Sequence, residues 1–237
     1  MSARFTRIHP VPLKETIAEA LREAIFREDL KPGGRIVETR ISREMHVGQN
    51  TVREALFLLE SEGLVVRHPN RGCTVYRLSP EDHDKIYRFR VECEGAAIQF
   101  AREAGRPDEE DVHQFEQVLD TMQAAAEAND LFRFTKADLA FHCLVWRMSG
   151  NEYLERALKT VATPHFPSIF HLCRRLRDYD PRPVVKKHRE LLEIMRTADP
   201  ATCRKEFAQA IESFRHSSWD IAEKLQQLQP VHALASF

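Results

Sequence analysis

Three residues of this chain could together hold a divalent metal ion: Asp138, His142 and His188. Asp138 and His142 stand four apart, one helical turn, in a segment whose Phe134, Phe141 and Val145 share their face. His188 lies on the apolar stripe of Val184, Val185, Leu191, Leu192 and Met195, so its imidazole points inward as well. An inward histidine is either a hydrogen-bonded core residue or a ligand. Two of them with a carboxylate at i−4 make a metal site a reading of equal standing. A second candidate chemistry is anion binding. Arg90 falls one turn past Ile86, on the same side of a helix whose apolar stripe is Ile86, Phe89, Cys93, Ala97 and Phe100, and a half-buried guanidinium needs an anionic partner. Glu94, one turn further on, could be that partner, or the carboxylate of a ligand could be. His165, between Pro164 and Pro167, lies on the stripe of Leu154, Leu158 and Val161. It is either a polar contact for a ligand or a residue at a helix break.

The elements that position these residues are helical. After Ser79-Pro80-Glu81-Asp82, an N-cap followed by proline and acids, about six helices run to the end without strand-like alternation. Breaks are expected at Gly105-Arg106-Pro107, Asn129-Asp130, Gly150-Asn151, Pro181–Pro183 and Asp199-Pro200. The first third reads differently. Pro12 opens a helix whose Leu13, Ile17, Leu21, Ala24 and Ile25 share a face, and a short helix from about Glu38 to Met45 follows. Asn50 then caps a third helix with the stripe Val52, Ala55, Leu56 and Leu59. Gly63-Leu64-Val65-Val66-Arg67 is a short β run that Pro69-Asn70-Arg71-Gly72 turns back into Cys73-Thr74-Val75-Tyr76 as a hairpin. Three helices and a hairpin make a winged helix-turn-helix. The fold class is therefore mainly α, with a winged helix-turn-helix over 1–77 followed by an all-helical bundle over 78–237.

Charge and composition narrow the function. Residues 1–78 carry 13 Lys and Arg against 10 Asp and Glu, whereas the remainder carries 22 against 26. A mildly basic first third suits a phosphate-contacting module. No apolar run approaches the roughly 18 residues of a membrane span, and the N-terminal residues lack the apolar core of a secretory signal. Five scattered cysteines without a C-x-x-C pair suggest a reduced, cytoplasmic protein. There is no H-E-x-x-H, nucleophile elbow or glycine-rich phosphate loop, so a metal-dependent hydrolase is a remote alternative and no catalytic residue is assigned.

Leu30-Lys31-Pro32-Gly33, Thr51-Val52-Arg53-Glu54-Ala55-Leu56, Leu59-Glu60-Ser61-Glu62-Gly63-Leu64-Val65 and Asn70-Arg71-Gly72 occur in this order, and the first third resembles the GntR family of regulators. The resemblance implies a homodimer that sets recognition helices into successive major grooves of a pseudo-palindromic operator. Arg53 matches the DNA-contacting arginine, and Asn70, Arg71 and Gly72 match the wing tip. The alternative for Arg53 is a solvated surface arginine paired with a nearby glutamate. Where relatives often carry Ser-Arg-Thr-Pro, this chain has Gly48-Gln49-Asn50-Thr51. Gln49 and Asn50 pair naturally with adenine, so its operator is expected to depart from the family's usual inner half-site.

Tyr87-Arg88-Phe89-Arg90 with Glu94, Asp138-x-x-x-His142, Gly150-Asn151 and His188-Arg189-Glu190-Leu191-Leu192 resemble the FCD ligand-binding domain of the FadR/VanR-type branch. That resemblance implies a divalent metal (zinc, nickel or manganese) at the base of a pocket for an organic-acid effector, and a repressor released by it. Asp138, His142 and His188 match three of the four metal ligands, and Arg90, Glu94 and His165 are the expected effector contacts. The fourth ligand's place falls on Ala210. His216, six residues on and about 240° around the helix, cannot simply replace it. The alternative is a metal-independent sensor of a larger apolar effector such as an acyl thioester.

Overall fold

Four residues with no solvent exposure, Val52, Ala55, Leu56 and Leu59, hold the first unit together. They lie along α3 (Gln49–Ser61), which packs on α1 (Leu13–Phe26) and its buried Ile17, Ala18, Leu21, Ile25 and Phe26. Burying an aliphatic side chain of this size contributes about 1.5–3 kcal/mol, so this seam dominates the unit's core. In this computed structural model residues 12–69, 72–176 and 179–227 are described, and the chain divides into two units between Tyr76 and Arg77.

α2 (Glu38–Glu44) precedes α3 and contributes the buried Ile41. Pro12 and Gly48 are the residues that cap α1 and α3, and neither helix start uses a side-chain hydrogen bond. Asn50 is therefore inside the first turn of α3 rather than its cap. β2 (Val65–His68) and β3 (Gly72–Val75) pair antiparallel with His68 opposite Gly72. The expected hairpin gains a third strand, β1 (Arg35–Ile36), in the order β1-β3-β2. Two residues are too few to show alternation. The Gly33-Gly34 turn fixes this strand instead: the Gly33 amide donates to the Val75 carbonyl at 3.0 Å, and the Val75 amide donates to that of Gly34 at 2.9 Å. Gly72 starts β3 at φ +86°, a conformation that suits glycine. Asn70 and Arg71, expected at the wing tip, lie outside the described residues.

The second unit opens with α4 (Pro80–Glu103). Ser79 and Asp82 form a reciprocal capping box there. It continues with α5 (Glu109–Glu127), α6 (Leu131–Met148), α7 (Glu152–Ala162), α8 (His165–Arg174), α9 (Arg182–Thr197) and α10 (Pro200–Gln227). Among the described residues this makes seven helices where the periodicity suggests about six. The extra one arises at Thr163-Pro164: α7 ends at Ala162, and Pro164 caps a separate α8. α4 runs along α10, and α5 packs on α6 and α9. The buried face of α4 also differs from the expected stripe. Arg90 and Glu94 are buried, whereas Phe100 is 39% exposed and Phe89 and Cys93 are only half-buried. Ile86 and Ala97 of the expected stripe are buried, and Arg90 is buried on the side expected for it; the other three lie off a face whose centre is ionic.

Candidate functional site

In the first unit the candidate DNA-reading residues cluster at the start of α3. Gln49, Asn50 and Arg53 are exposed, Thr51 is half-buried, and the apolar side of the helix faces inward. Arg53 donates from Nε to Glu38 Oε2 on α2 at 2.6 Å, so the arginine–glutamate pair foreseen as one reading of Arg53 is formed. The pair leaves the Arg53 side chain 50% exposed on the face that also carries Gln49 and Asn50.

In the second unit α4, α6, α8, α9 and α10 enclose a cavity of about 430 Å³. Arg90, Asp138, His142, His165 and His188 all line it, and so does Ala210. Helical phase brings Asp138 and His142 to one side of α6, and α9 packs so that His188 meets them. Ligand atoms of the three lie within 4.8 Å of one another. His188 Nδ1 donates to the Val184 carbonyl at 2.8 Å, and His142 Nδ1 donates to Glu94 Oε2 at 2.6 Å. An acceptor thus fixes the proton of each ring on Nδ1, which leaves the His188 Nε2 lone pair facing Asp138 and that of His142 accepting from Arg90 Nη2 at 3.2 Å. His188 Nε2 and Asp138 Oδ1 are 3.0 Å apart, yet both are buried without a hydrogen-bond partner. Two lone pairs facing each other at that distance call for a proton or a cation between them. His142 Nε2 is 3.8 Å from the same oxygen. Two imidazoles and a carboxylate are a donor set that suits zinc, nickel or manganese, and the residues present fit such an ion.

Glu94, expected at the effector, stands behind the cavity wall instead. It is fully buried, absent from the lining, and holds two cavity residues at once: Arg90 Nε at 2.5 Å and His142 Nδ1. Burial alone would raise its pKa. The Arg90 charge and the hydrogen bonds from His142 and Arg90 override this and hold it at about 2. It is the carboxylate that orients His142, a role the i,i+4 spacing to Arg90 did not suggest. Arg90 is 5% exposed, and its Nη2 comes within 3.2 Å of His142 Nε2, so the guanidinium reaches the edge of the same cluster. Its guanidinium also lies over the Phe166 ring at 4.9 Å.

Sequence reasoning passed over several lining groups. Lys187 adds a second cation to the wall. Tyr179 and Cys173 are paired by a side-chain hydrogen bond, with burial raising the tyrosine pKa and pushing the thiol up to about 11. Lys187 adjoins His188 and could have been read from α9. Tyr179 lies between α8 and α9, where no period exists to read.

Residues 13–75 match the family described as bacterial regulatory proteins, gntR family, and residues 85–213 match the FCD domain. An uncharacterized HTH-type transcriptional regulator of Bacillus subtilis, YdhC, is 28% identical over 188 residues, 78% of this chain and 81% of its own. The HTH-type transcriptional regulator McbR of Escherichia coli is 24% identical over 202 residues, 85% of this chain and 90% of its own. The solved structure of E. coli McbR/YncC has the same fold, with a TM-score of 0.74 at 21% identity over 89% of this chain and 98% of that one. These relatives and fold neighbours are transcriptional regulators rather than enzymes. No helix among the described residues is long and apolar enough to cross a membrane.

Proposed function

The chain belongs to the gntR family of bacterial regulatory proteins, with an FCD domain as its second unit, and we propose that it is a repressor released by a small organic acid. As a member it is a DNA-binding transcriptional regulator. The finer reading has four parts. A homodimer places two α3 helices on a pseudo-palindromic operator, which Gln49, Asn50, Thr51 and Arg53 contact together with the wing at Asn70, Arg71 and Gly72. The cavity of the second unit takes the acid. Asp138, His142 and His188 hold a divalent metal, and Arg90 and His165 face the ligand. Occupancy then shifts the population away from the DNA-binding conformation. Two relatives support the sign of regulation by their names: the transcriptional repressor RspR of E. coli, 24% identical over 226 residues, and the gluconate operon transcriptional repressor of B. subtilis, 25% identical over 216.

The observation that carries the reading is the unpartnered pair, His188 Nε2 facing Asp138 Oδ1 at 3.0 Å in a buried cavity that also presents Arg90 and Lys187. Asp138, His142 and His188 would hold a divalent ion there, which would supply Lewis-acid attraction for an anion. The chain's own residues do the rest. Glu94 and the Val184 carbonyl orient the two rings, and the cations attract a carboxylate. Metal per chain by elemental analysis of the purified protein, with His188→Ala as control, tests the site. Near-stoichiometric metal that vanishes in the variant is expected. Operator affinity with and without gluconate and a set of other small acids tests the coupling. An acid that binds the cavity but leaves operator affinity unchanged ends that part of the proposal.

A second reading has its own support. Phe134, Phe166, Ile169, Phe170 and Phe214 make much of the wall apolar, and the small Ala210 leaves room among them. A metal-independent sensor of a larger apolar effector, such as an acyl thioester, fits that lining. Absence of metal from both wild type and variant selects it.

A further inference from the structure

The remaining histidine of the cavity, His165, opens α8 and is 2% exposed. It leads away from the Asp138 cluster toward two residues outside the cavity lining. His165 Nδ1 faces His83 Nδ1 at 3.3 Å, and His83 Nε2 is 2.9 Å from Ser168 Oγ. The Tyr87 ring packs edge-on against His165, with centroids 4.4 Å apart. Burial, reinforced by the charges of Arg90, His83 and His142, pushes the His165 pKa well below its usual 6.5, and burial lowers that of His83. Burial thus favours the neutral form of both rings.

A neutral imidazole has one N–H and one lone pair. Only one proton fits between the two facing Nδ1 atoms, so the hydrogens of this row move together. When Ser168 donates to His83 Nε2, His83 donates to His165 Nδ1, and His165 is left with an N–H at Nε2. When the row is reversed, Nε2 is a lone pair. His165 Nε2 has no partner among the described residues, and it is the polar atom that this cavity-lining ring has left to offer a ligand. Arg90 lies nearby on the same wall: its guanidinium and the His165 ring both lean on Tyr87 and Phe166.

We propose that His165 is the second polar anchor of the cavity's anionic ligand, donating from Nε2, and that His83 and Ser168 are positioning residues that set this tautomer. Arg90 and His165 then each take one carboxylate oxygen across their shared aromatic pair. The proposal rests on the cavity being a carboxylate site. It also ties α8 to the first turn of α4, where His83 stands three residues past Pro80.

Proton–nitrogen spectra of the histidine and arginine side chains in the full-length protein at neutral pH, titrated with acetate, test it. The expected result is a neutral His165 with its proton on Nε2 at saturating acetate and a resonance that moves with binding. His165→Phe should weaken acetate about tenfold or more, the loss of one hydrogen bond to a charged group. Because that variant alters the core, Ser168→Ala is the second measurement: a mixed tautomer and a few-fold weaker affinity, both restored by Ser168→Thr. Acetate that perturbs Arg90 while His165 stays unmoved, or keeps its proton on Nδ1, overturns the proposal and leaves the carboxylate site standing. Unchanged tautomer and affinity in Ser168→Ala overturn it too. Acetate that perturbs neither Arg90 nor His165 removes the carboxylate reading, and this proposal with it.

Discussion

Two arginine–glutamate pairs of nearly the same length do opposite work in this protein. Arg53 meets Glu38 at 2.6 Å on the surface of the first unit, with side chains 50% and 25% exposed. Arg90 meets Glu94 at 2.5 Å in the second unit, with side chains 6% and 0% exposed. In water such a pair contributes about 0–1 kcal/mol, so Arg53 can exchange its glutamate for a phosphate or a base edge at small cost. In the interior each charge has lost its solvent, and the pair must stay together with every lone pair used. Glu94 meets that demand by also accepting from His142. The exposed pair leaves Arg53 free to change partner, as the proposed operator contact requires, and the buried pair fixes the orientation of Arg90 and His142.

The largest effect should come from breaking the buried pair. Glu94→Ala leaves Arg90 unpaired and His142 free to turn, and should lower stability by about 3–5 kcal/mol in urea unfolding. A loss below about 1 kcal/mol would mean that water enters the cavity and the contrast fails. Next in size is Arg53→Ala, which should weaken operator binding by about 1–3 kcal/mol in a titration at fixed salt while leaving the unfolding midpoint unchanged. Gln49→Arg sharpens the same side. Selection from random DNA should move the preferred base at one inner position from adenine to guanine, and an unchanged preference would show that Gln49 does not read a base. The smallest effect belongs to Glu38→Ala: stability within about 1 kcal/mol of wild type, and operator affinity equal or slightly higher because Arg53 is released.

The two units were unequally legible. Val52, Ala55, Leu56 and Leu59 gave away the α3 core by spacing alone, and all four have no exposure. The polar start of the same helix follows from that phase, because what is not on the buried stripe faces out. β1 was invisible, since backbone pairing of Arg35 and Ile36 with Thr74 and Cys73 makes it and no side-chain pattern does. On α4 the period was right and the face partly so: Ile86 and Ala97 are buried, whereas Phe89, Cys93 and Phe100 lie off it. A scale that rewards apolar residues cannot find a face centred on Arg90 and Glu94.

By itself the amino-acid sequence determined which residues share a helical turn: Asp138 with His142, Arg90 with Glu94, and His188 with the stripe of α9. These are relations within four residues, and the helix pitch settles them. Tertiary structure alone decided what meets across helices. It set Glu94 against His142, 48 positions away, and His83 against His165, 82 positions away. It also brought His188 Nε2 to Asp138 and put Ala210 on the wall of their cavity. The reason is physical. Periodicity tells which side of a helix is inward, but which inward groups touch depends on how the helices pack, and no local spacing encodes that.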